Sequence, residues 1–200
     1  MTGMVWDERF MGEEYVYGTE PNVFLTEQAP HLVSGARVLV PGDGEGRNGV
    51  WLAGRGMRVL SVDGSTVGLA KARNLAASRG LVIETEVADL GSWEWPVGKA
   101  DAVASLFLHL PTAVRPQIHA KMIGALRPGG LLILEAFRPA QLAYASGGPK
   151  DLDLLYAADQ LRSDFQAMDM LLLEEVLTEL DEGALHRGPA ATVRMVARKP

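Results

Sequence analysis

The sequence predicts an α/β protein with a mostly parallel sheet that finishes in an antiparallel hairpin. Two observations predict it. Between residues 37 and 136, short apolar runs alternate with longer stretches of helical periodicity, the pattern of strand–helix–strand crossovers. In the last third, two β-like runs at 171–180 and 191–198 follow one another with no helix between them. The chain has 200 residues, 48% of them apolar and 22% charged, which is enough for one domain with a substantial core.

Taken in order, the elements are these. The first 30 residues, rich in Trp, Tyr and Phe, are expected to form a cap or lid within the single 1–200 domain. Residues 37–40 are an apolar run cut off by Pro41-Gly42, hence a first strand, and 47–54 read as a helix stopped near Gly54 and Gly56. Residues 58–63 (RVLSVD) form a second strand. Ser65 is a good N-cap for a helix ending at Gly80, with Val67, Leu69, Ala70, Leu75 and Ala76 recurring at helical spacing. Residues 82–87 and 101–106 are the third and fourth strands, followed by a helix at 112–126. RPGG at 127–130 is a sharp turn into a fifth strand at 131–136. Residues 152–165 look helical, and the final hairpin turns through 181–189, which contains Gly183 and Gly188.

Composition narrows the function. The formal charge of −6 argues against a nucleic-acid partner, because phosphate backbones are bound by basic patches. No run of 18 apolar residues exists to span a membrane. The N-terminal stretch MTGMVWDERFMGEEYVYG is acidic and mixed, with no apolar signal core. Absence of cysteine excludes disulfides, thiolate metal sites and a cysteine nucleophile. These features lead to the expectation of a cytoplasmic protein, a monomer or weak homodimer, acting on a small molecule without a metal.

The chemistry centres on VLVPGDGEGRNGVWLA at 38–53. Alternate glycines after a strand bring backbone close to a ligand. Gly44, Gly46 and Gly49 also fit the G-x-G-x-x-G dinucleotide pattern, so this stretch alone admits either a nicotinamide cofactor or S-adenosylmethionine. Asp63 ends the second strand, where an acid accepts ribose hydroxyls of either one. Three features favour S-adenosylmethionine. The glycines begin at Gly42, earlier than the dinucleotide pattern needs. Asp89 in ADL follows the third strand, at the expected seat of an adenine amino group. The hairpin ending leaves no separate catalytic domain.

VLVPGDGEGRN, VLSVDGS, ADL and LRPGGLLILE, in that order, resemble the class I S-adenosylmethionine-dependent methyltransferases. WDERF, EYVYGTEPNVFL, SLFLHLP, GGPKDLDLL and EGALHRGPA resemble its tellurite-resistance-type (TehB-like) branch, and together the motifs span nearly the whole chain. The resemblance implies a Rossmann-like seven-stranded sheet of order 3-2-1-4-5-7-6, with the cofactor across the tips of the first four strands. It places Gly42, Asp43, Gly44, Gly46, Arg47, Asp63, Gly64, Asp89, Leu90 and Ser105 at the cofactor. One position departs from the pattern. The family carries an acid two residues before the first glycine, where this chain has Val40, so Asp43 and Glu45 are the loop acids available to substitute.

Methyl transfer requires alignment, exclusion of water and, for hard nucleophiles, a base. His109, after the fourth strand, is expected to face the methyl group with Phe107. The family resemblance turns His186 in the hairpin loop toward the same pocket and makes Tyr17, with Tyr15, a lid aromatic for cation–π contact with a sulfonium. Arg47 either draws an oxyanion or pairs with nearby acids, Lys150 and Asp151 belong to a candidate substrate gate, and His31 and His119 read as structural. Glu174, Glu175, Glu179, Asp181 and Glu182 read as the solvated face and tip of the hairpin. The function expected is methylation of a small molecule, with a soft nucleophile (thiol, selenium or tellurium oxyanion) as one candidate acceptor. An NAD(P)-dependent reductase and a catalytically inactive S-adenosylmethionine-binding sensor are the alternatives.

Overall fold

A computed structural model describes residues 3–200. Its seven strands are β1 (Arg37–Pro41), β2 (Arg58–Asp63), β3 (Glu84–Val87), β4 (Ala100–Leu106), β5 (Leu126–Phe137), β6 (Asp169–Asp181) and β7 (Arg187–Arg198). They form one sheet of order β3-β2-β1-β4-β5-β7-β6, parallel except that β7 runs antiparallel to both its neighbours. The helices are α1 (Gly3–Phe10), α2 (Val23–Gln28), α3 (Arg47–Gly54), α4 (Thr66–Ser78), α5 (Arg115–Ala125) and α6 (Ala158–Asp164). The expected topology is therefore present. The N-terminal cap expected over 1–30 contains α1 and α2, its first two residues lying outside the described chain.

Strand alternation divides the core in two. Val38, Val40, Val59 and Ile133 face a layer made by Phe24, Leu25, Val50, Leu52 and Leu75. Leu39, Val62, Val103 and Leu132 face the layer of Ile118, Met122, Leu161 and Phe165. β1 and β4 are buried along nearly their whole length, as expected of central strands covered on both faces. The chain winds outward from β1 to β3, then returns to β4 on the other side, so the switch point lies between β1 and β4. In such sheets the crevice at the carboxyl ends there is the ligand site.

Local chemistry sets the boundaries. Ser65 Oγ accepts from Gly68 N (2.9 Å) and starts α4, which ends just before Gly80, whose φ is 67°. The RPGG turn is embedded in β5. Ala100 pairs with Leu126, Ala102 with Leu131, and the residues between bulge out around Gly129. The helix expected at 152–165 is shorter than predicted. Asp151 caps a single 3₁₀ turn at Leu152–Leu154, Leu155 is extended, and Tyr156 N donates to Phe137 O (3.0 Å) before α6 begins at Ala158. A tertiary hydrogen bond outcompetes helical periodicity there. The hairpin loop is also shorter than 181–189, because β6 and β7 stay paired as far as Asp181 and Arg187. β6 is the sheet edge, and exposed Glu174, Glu175 and Glu179 along it discourage pairing with another chain.

Gly46 and Gly80 allow a controlled test of packing against backbone strain. Both have left-handed φ, 86° and 67°, but a Cβ at Gly46 would lie 2.5 Å from Ala72 Cβ, whereas at Gly80 it meets open space. Gly80→Ala is expected to cost roughly 1–2 kcal/mol from strain alone, and Gly46→Ala a further 1–3 kcal/mol or so from overpacking. Urea unfolding of the two variants checks this; equal losses would mean that α4 yields without cost.

Candidate active site

β1 ends at Pro41, and Gly42 N donates to Val62 O (2.7 Å), so the loop leaves the sheet still tied to β2. Gly42, Gly44 and Gly46 have φ of 71°, 55° and 86°, a conformation open to glycine and strained for other residues. Their missing side chains point three ways, at Leu108, at the ring of Phe10 and at Ala72. A side chain at Gly44 would therefore meet Phe10 of α1, 3.2 Å from its Cζ.

Asp63, 9% exposed, binds this loop from the tip of β2. Its Oδ2 accepts from Gly44 N (2.9 Å) and its Oδ1 from Ser65 N (2.8 Å). Burial holds its pKa above the ordinary carboxylate value despite these donors. Each oxygen keeps a further lone pair, as an acceptor of ribose hydroxyls requires. Asp89, at the tip of β3, is exposed and takes Gly91 N on Oδ1 (2.9 Å), while Leu90 accepts from Trp95 Nε1 through its carbonyl (2.9 Å). Gly64 lies against Gly3 of α1, and Ser105 is buried opposite Leu134. Two acids on neighbouring strand tips and a loop of bare backbone fit S-adenosylmethionine: Asp63 for the ribose, Asp89 and Leu90 for the adenine, and the Gly42–Gly46 loop for the methionine portion.

Asp43 and Glu45 are neither solvated nor free. Asp43 turns beneath the loop, accepting from Ser61 Oγ (2.5 Å) and Gly49 N (3.2 Å). Glu45 takes Val16 N (2.8 Å) and pairs with Lys71 Nζ (2.5 Å). One acid fastens the loop to the sheet and α3; the other fastens the N-terminal segment to the loop. Val40, at the family's acidic position, is 1% exposed in the core beneath α3, so an ionised carboxylate there would lack solvent.

The side expected to receive the acceptor forms where four chain segments meet. The His186 ring lies 4.6 Å from Tyr17, 4.8 Å from Phe107 and 5.3 Å from Phe137, and His109 stacks on the Phe137 ring at 5.6 Å. Phe107 has φ 54°, strained for a non-glycine residue, while its N–H donates to Glu135 O (2.7 Å). His109 Nδ1 lies 2.7 Å from Leu154 O. A carbonyl only accepts, so the ring proton sits on Nδ1 and Nε2 carries the lone pair. Burial lowers the His109 pKa to about 4 and also lowers that of His186, which the nearby Glu182 partly offsets. Gly147 and Gly148 close over this group, with no room for a side chain against His186 and Phe137.

Other expected residues have local partners. Tyr15 OH donates to Lys71 O (3.0 Å), Lys150 Nζ to Tyr144 O (3.2 Å), and Asp151 accepts from Asp153 N (3.0 Å). His31 is exposed. His119 is buried, its Nδ1 2.8 Å from an Asp164 oxygen that also receives Arg115 Nε (2.9 Å), which fits its structural reading. Arg47 pairs with Glu182 (2.8 Å) and Glu20 O (3.2 Å). Glu182 is thus not part of the solvated hairpin tip: it is 5% exposed, and Arg47 and His186 hold its carboxyl below the ordinary value against the effect of burial. Glu174, Glu175, Glu179 and Asp181 are exposed as expected.

Sequence reasoning missed a buried network beside this pocket. Glu135, 1% exposed, accepts from Asn22 Nδ2 (2.6 Å), Thr192 Oγ1 (2.9 Å) and Arg194 Nε (2.7 Å), and Asn22 Nδ2 also reaches Glu182 (3.2 Å). The available signal was a single acid within the apolar run LLILEAF, matched by a lone arginine in ATVRMVA.

Asp43 yields a pH-dependent prediction. Burial raises its pKa from 3.8 to about 6, so the folded state holds the proton more tightly than the unfolded chain. That contribution is present below pH 3.8 and is lost as pH rises through 6, an effect of about 3 kcal/mol. Asp43→Asn is expected to gain stability relative to the parent as pH rises from 4 to 7. Urea unfolding at both pH values checks this; a constant difference would contradict it.

A methyltransferase-domain family model matches residues 38–130. No curated protein sequence matches the chain. A structure solved for the conversion of a disulfide bond into a thioacetal group during echinomycin biosynthesis superposes with a TM-score of 0.77 at 22% identity, covering 98% of this chain and 92% of that one. TehB from Haemophilus influenzae gives 0.74 at 20% identity, covering 98% of this chain and 66% of that longer one. N-methyltransferase NodS from Bradyrhizobium japonicum WM9, solved with S-adenosyl-l-homocysteine, gives 0.73 at 15% identity with 98% and 97% covered. At these identities the structural likeness is one of fold. Residues 38–130 match a methyltransferase domain, and the chain as a whole has the fold of the S-adenosylmethionine-dependent methyltransferases.

Proposed function

We propose that this methyltransferase methylates a small soft nucleophile, a thiol or an oxyanion of selenium or tellurium, in the pocket bounded by Tyr17, Phe107, His109, Phe137 and His186. The observation that carries the reading is the convergence of these rings, from four separate parts of the chain, on the tip of β4 beside the glycine loop. A bound S-adenosylmethionine supplies an electrophilic methyl on a sulfonium. The chain supplies the rest. Asp63, Asp89 and the Gly42–Gly46 loop bind and orient, the Tyr17 face favours a cation, and the Gly147–Gly148 loop with Phe137 excludes water.

A soft acceptor needs positioning more than a strong base, which suits histidines whose basicity burial has reduced. Further support comes from the sulfur chemistry named for the echinomycin neighbour and from the fold shared with TehB. With a net charge of −6, the chain is unsuited to polyanionic substrates. We place it in the cytoplasm as a monomer or weak homodimer.

Calorimetry is expected to show binding of S-adenosylhomocysteine and none of NADH. Asp63→Ala should weaken that binding by about 1.5–3 kcal/mol, the loss of charge-assisted hydrogen bonds. NADH binding without S-adenosylhomocysteine binding would refute the reading. His109→Ala and His186→Ala should lower kcat far more than S-adenosylhomocysteine affinity. Because His109 stays neutral down to about pH 4, its contribution should be flat from pH 5 to 8. Full turnover in both variants would move the acceptor pocket elsewhere.

A further inference from the structure

The charges around this pocket select among soft nucleophiles. Three arginines border it: exposed Arg9 donates to Tyr17 Oη (3.1 Å), and the two on the inner side are neutralised in place. Arg47, 7% exposed, is bound by Glu182 and by Glu20 O; Arg194 is bound by Glu135 at 2.7 Å, with Glu27 at 3.9 Å. Each of these two guanidinium groups therefore faces a buried carboxylate, and neither leaves an uncompensated charge inside the pocket for an anionic guest; Arg9, without an acid partner among the described residues, lies on the solvent side of Tyr17.

The buried polar atoms of the pocket histidines that lack hydrogen-bond partners, among the described residues, are His109 Nε2 and His186 Nδ1. His109 is 8% exposed, and the Leu154 carbonyl fixes its proton on Nδ1, so Nε2 is an unpartnered lone pair. His186 Nδ1 lies 3.5 Å from Glu182 Oε2, too far and too poorly aligned for a hydrogen bond, yet close enough for the carboxylate to favour a proton there. Its Nε2 then carries a second lone pair. An incoming oxyanion would shed its hydration to meet lone pairs and carboxylates, at a cost of several kcal/mol for an unpaired buried charge. A neutral group bearing a proton satisfies His109 Nε2, and its apolar remainder is matched by the rings of Phe107, Phe137 and Tyr17.

We propose that the methyl acceptor enters as a small neutral thiol hydrogen-bonded to His109 Nε2, and that selenium and tellurium oxyanions are excluded. This rests on the assignment of the pocket given above and narrows its substrate class. In the step, a thiol sulfur lone pair forms the new bond to the methyl carbon. The old bond from that carbon to the sulfonium sulfur breaks with its electron pair onto that sulfur, and the S–H proton passes to His109 Nε2. The sulfonium's positive charge is thereby replaced by an imidazolium. The low basicity of His109 is no obstacle, since a thiol proton becomes strongly acidic as its sulfur is alkylated.

The test first establishes S-adenosylhomocysteine binding by calorimetry, which separates failure of the cofactor assignment from failure of this proposal. The S-adenosylhomocysteine complex is then titrated with thiophenol, selenite and tellurite, following Tm and the ¹⁵N resonance of His109 Nε2. Thiophenol is expected to raise Tm and to move that resonance out of the free lone-pair range; the oxyanions should change neither. His109→Leu should weaken thiophenol binding about 3–10-fold, the worth of one neutral hydrogen bond, with S-adenosylhomocysteine affinity retained as proof of folding. Glu182→Gln, which frees the Arg47 charge, should admit selenite. Selenite or tellurite binding to the parent protein, absence of thiophenol binding, or thiophenol binding indifferent to His109→Leu would each overturn the proposal.

Discussion

Glu135 is an acid at the end of a central strand, almost wholly removed from water, and it can exist there only if donors reach it from elsewhere. Three donors come from two places. Asn22 lies in the N-terminal segment, Thr192 is on β7, and Arg194 stands directly across from Glu135 in the β5–β7 ladder. Glu182 repeats the arrangement from the hairpin tip, drawing in Arg47 from the start of α3. The antiparallel end of the sheet, the N-terminal segment and the glycine loop are thus joined by buried charge pairs, and losing one partner strands another. Hydrophobic burial holds the two layers on the sheet, whereas these pairs fix where the loops above it come to rest.

The sheet and its order were legible because the governing signals are local. Apolar runs, their flanking glycines and the Ser65 cap each act over a few residues. Segments decided by distant partners were not. Residues 152–157 have helical periodicity but form only one 3₁₀ turn, because the chain after Leu154 is held by Phe137 O and by the contact of Tyr156 OH with Leu110 N (2.8 Å). Glu182 looked solvated because its neighbours in sequence are polar, while its real partner Arg47 lies 135 positions away.

The candidate site was read in a similar way. His109, His186 and Tyr17 do come together, and Asp63 does tie the glycine loop to the start of α4. The inward turn of Asp43 was not visible, since nothing in GDGEG distinguishes an acid facing a ligand from one bonded to Ser61 beneath the loop. Strand alternation accounts for Val40. It shares a face with Val38, which points into the layer under α3, and the sheet gives that face no water.

The N-terminal segment has a mechanical consequence. Val16 N is bonded to Glu45 in the glycine loop, Gly18 is pressed against Gly183 at the hairpin tip, and Asn22 is anchored to both buried acids. Between the first two attachments there is a single residue, Tyr17, whose ring lies over His186. So short a span has almost no slack, and a displacement of the hairpin tip pulls on the glycine loop. Two sides of the candidate site are therefore joined by one taut strand of chain, and neither can shift without moving the other.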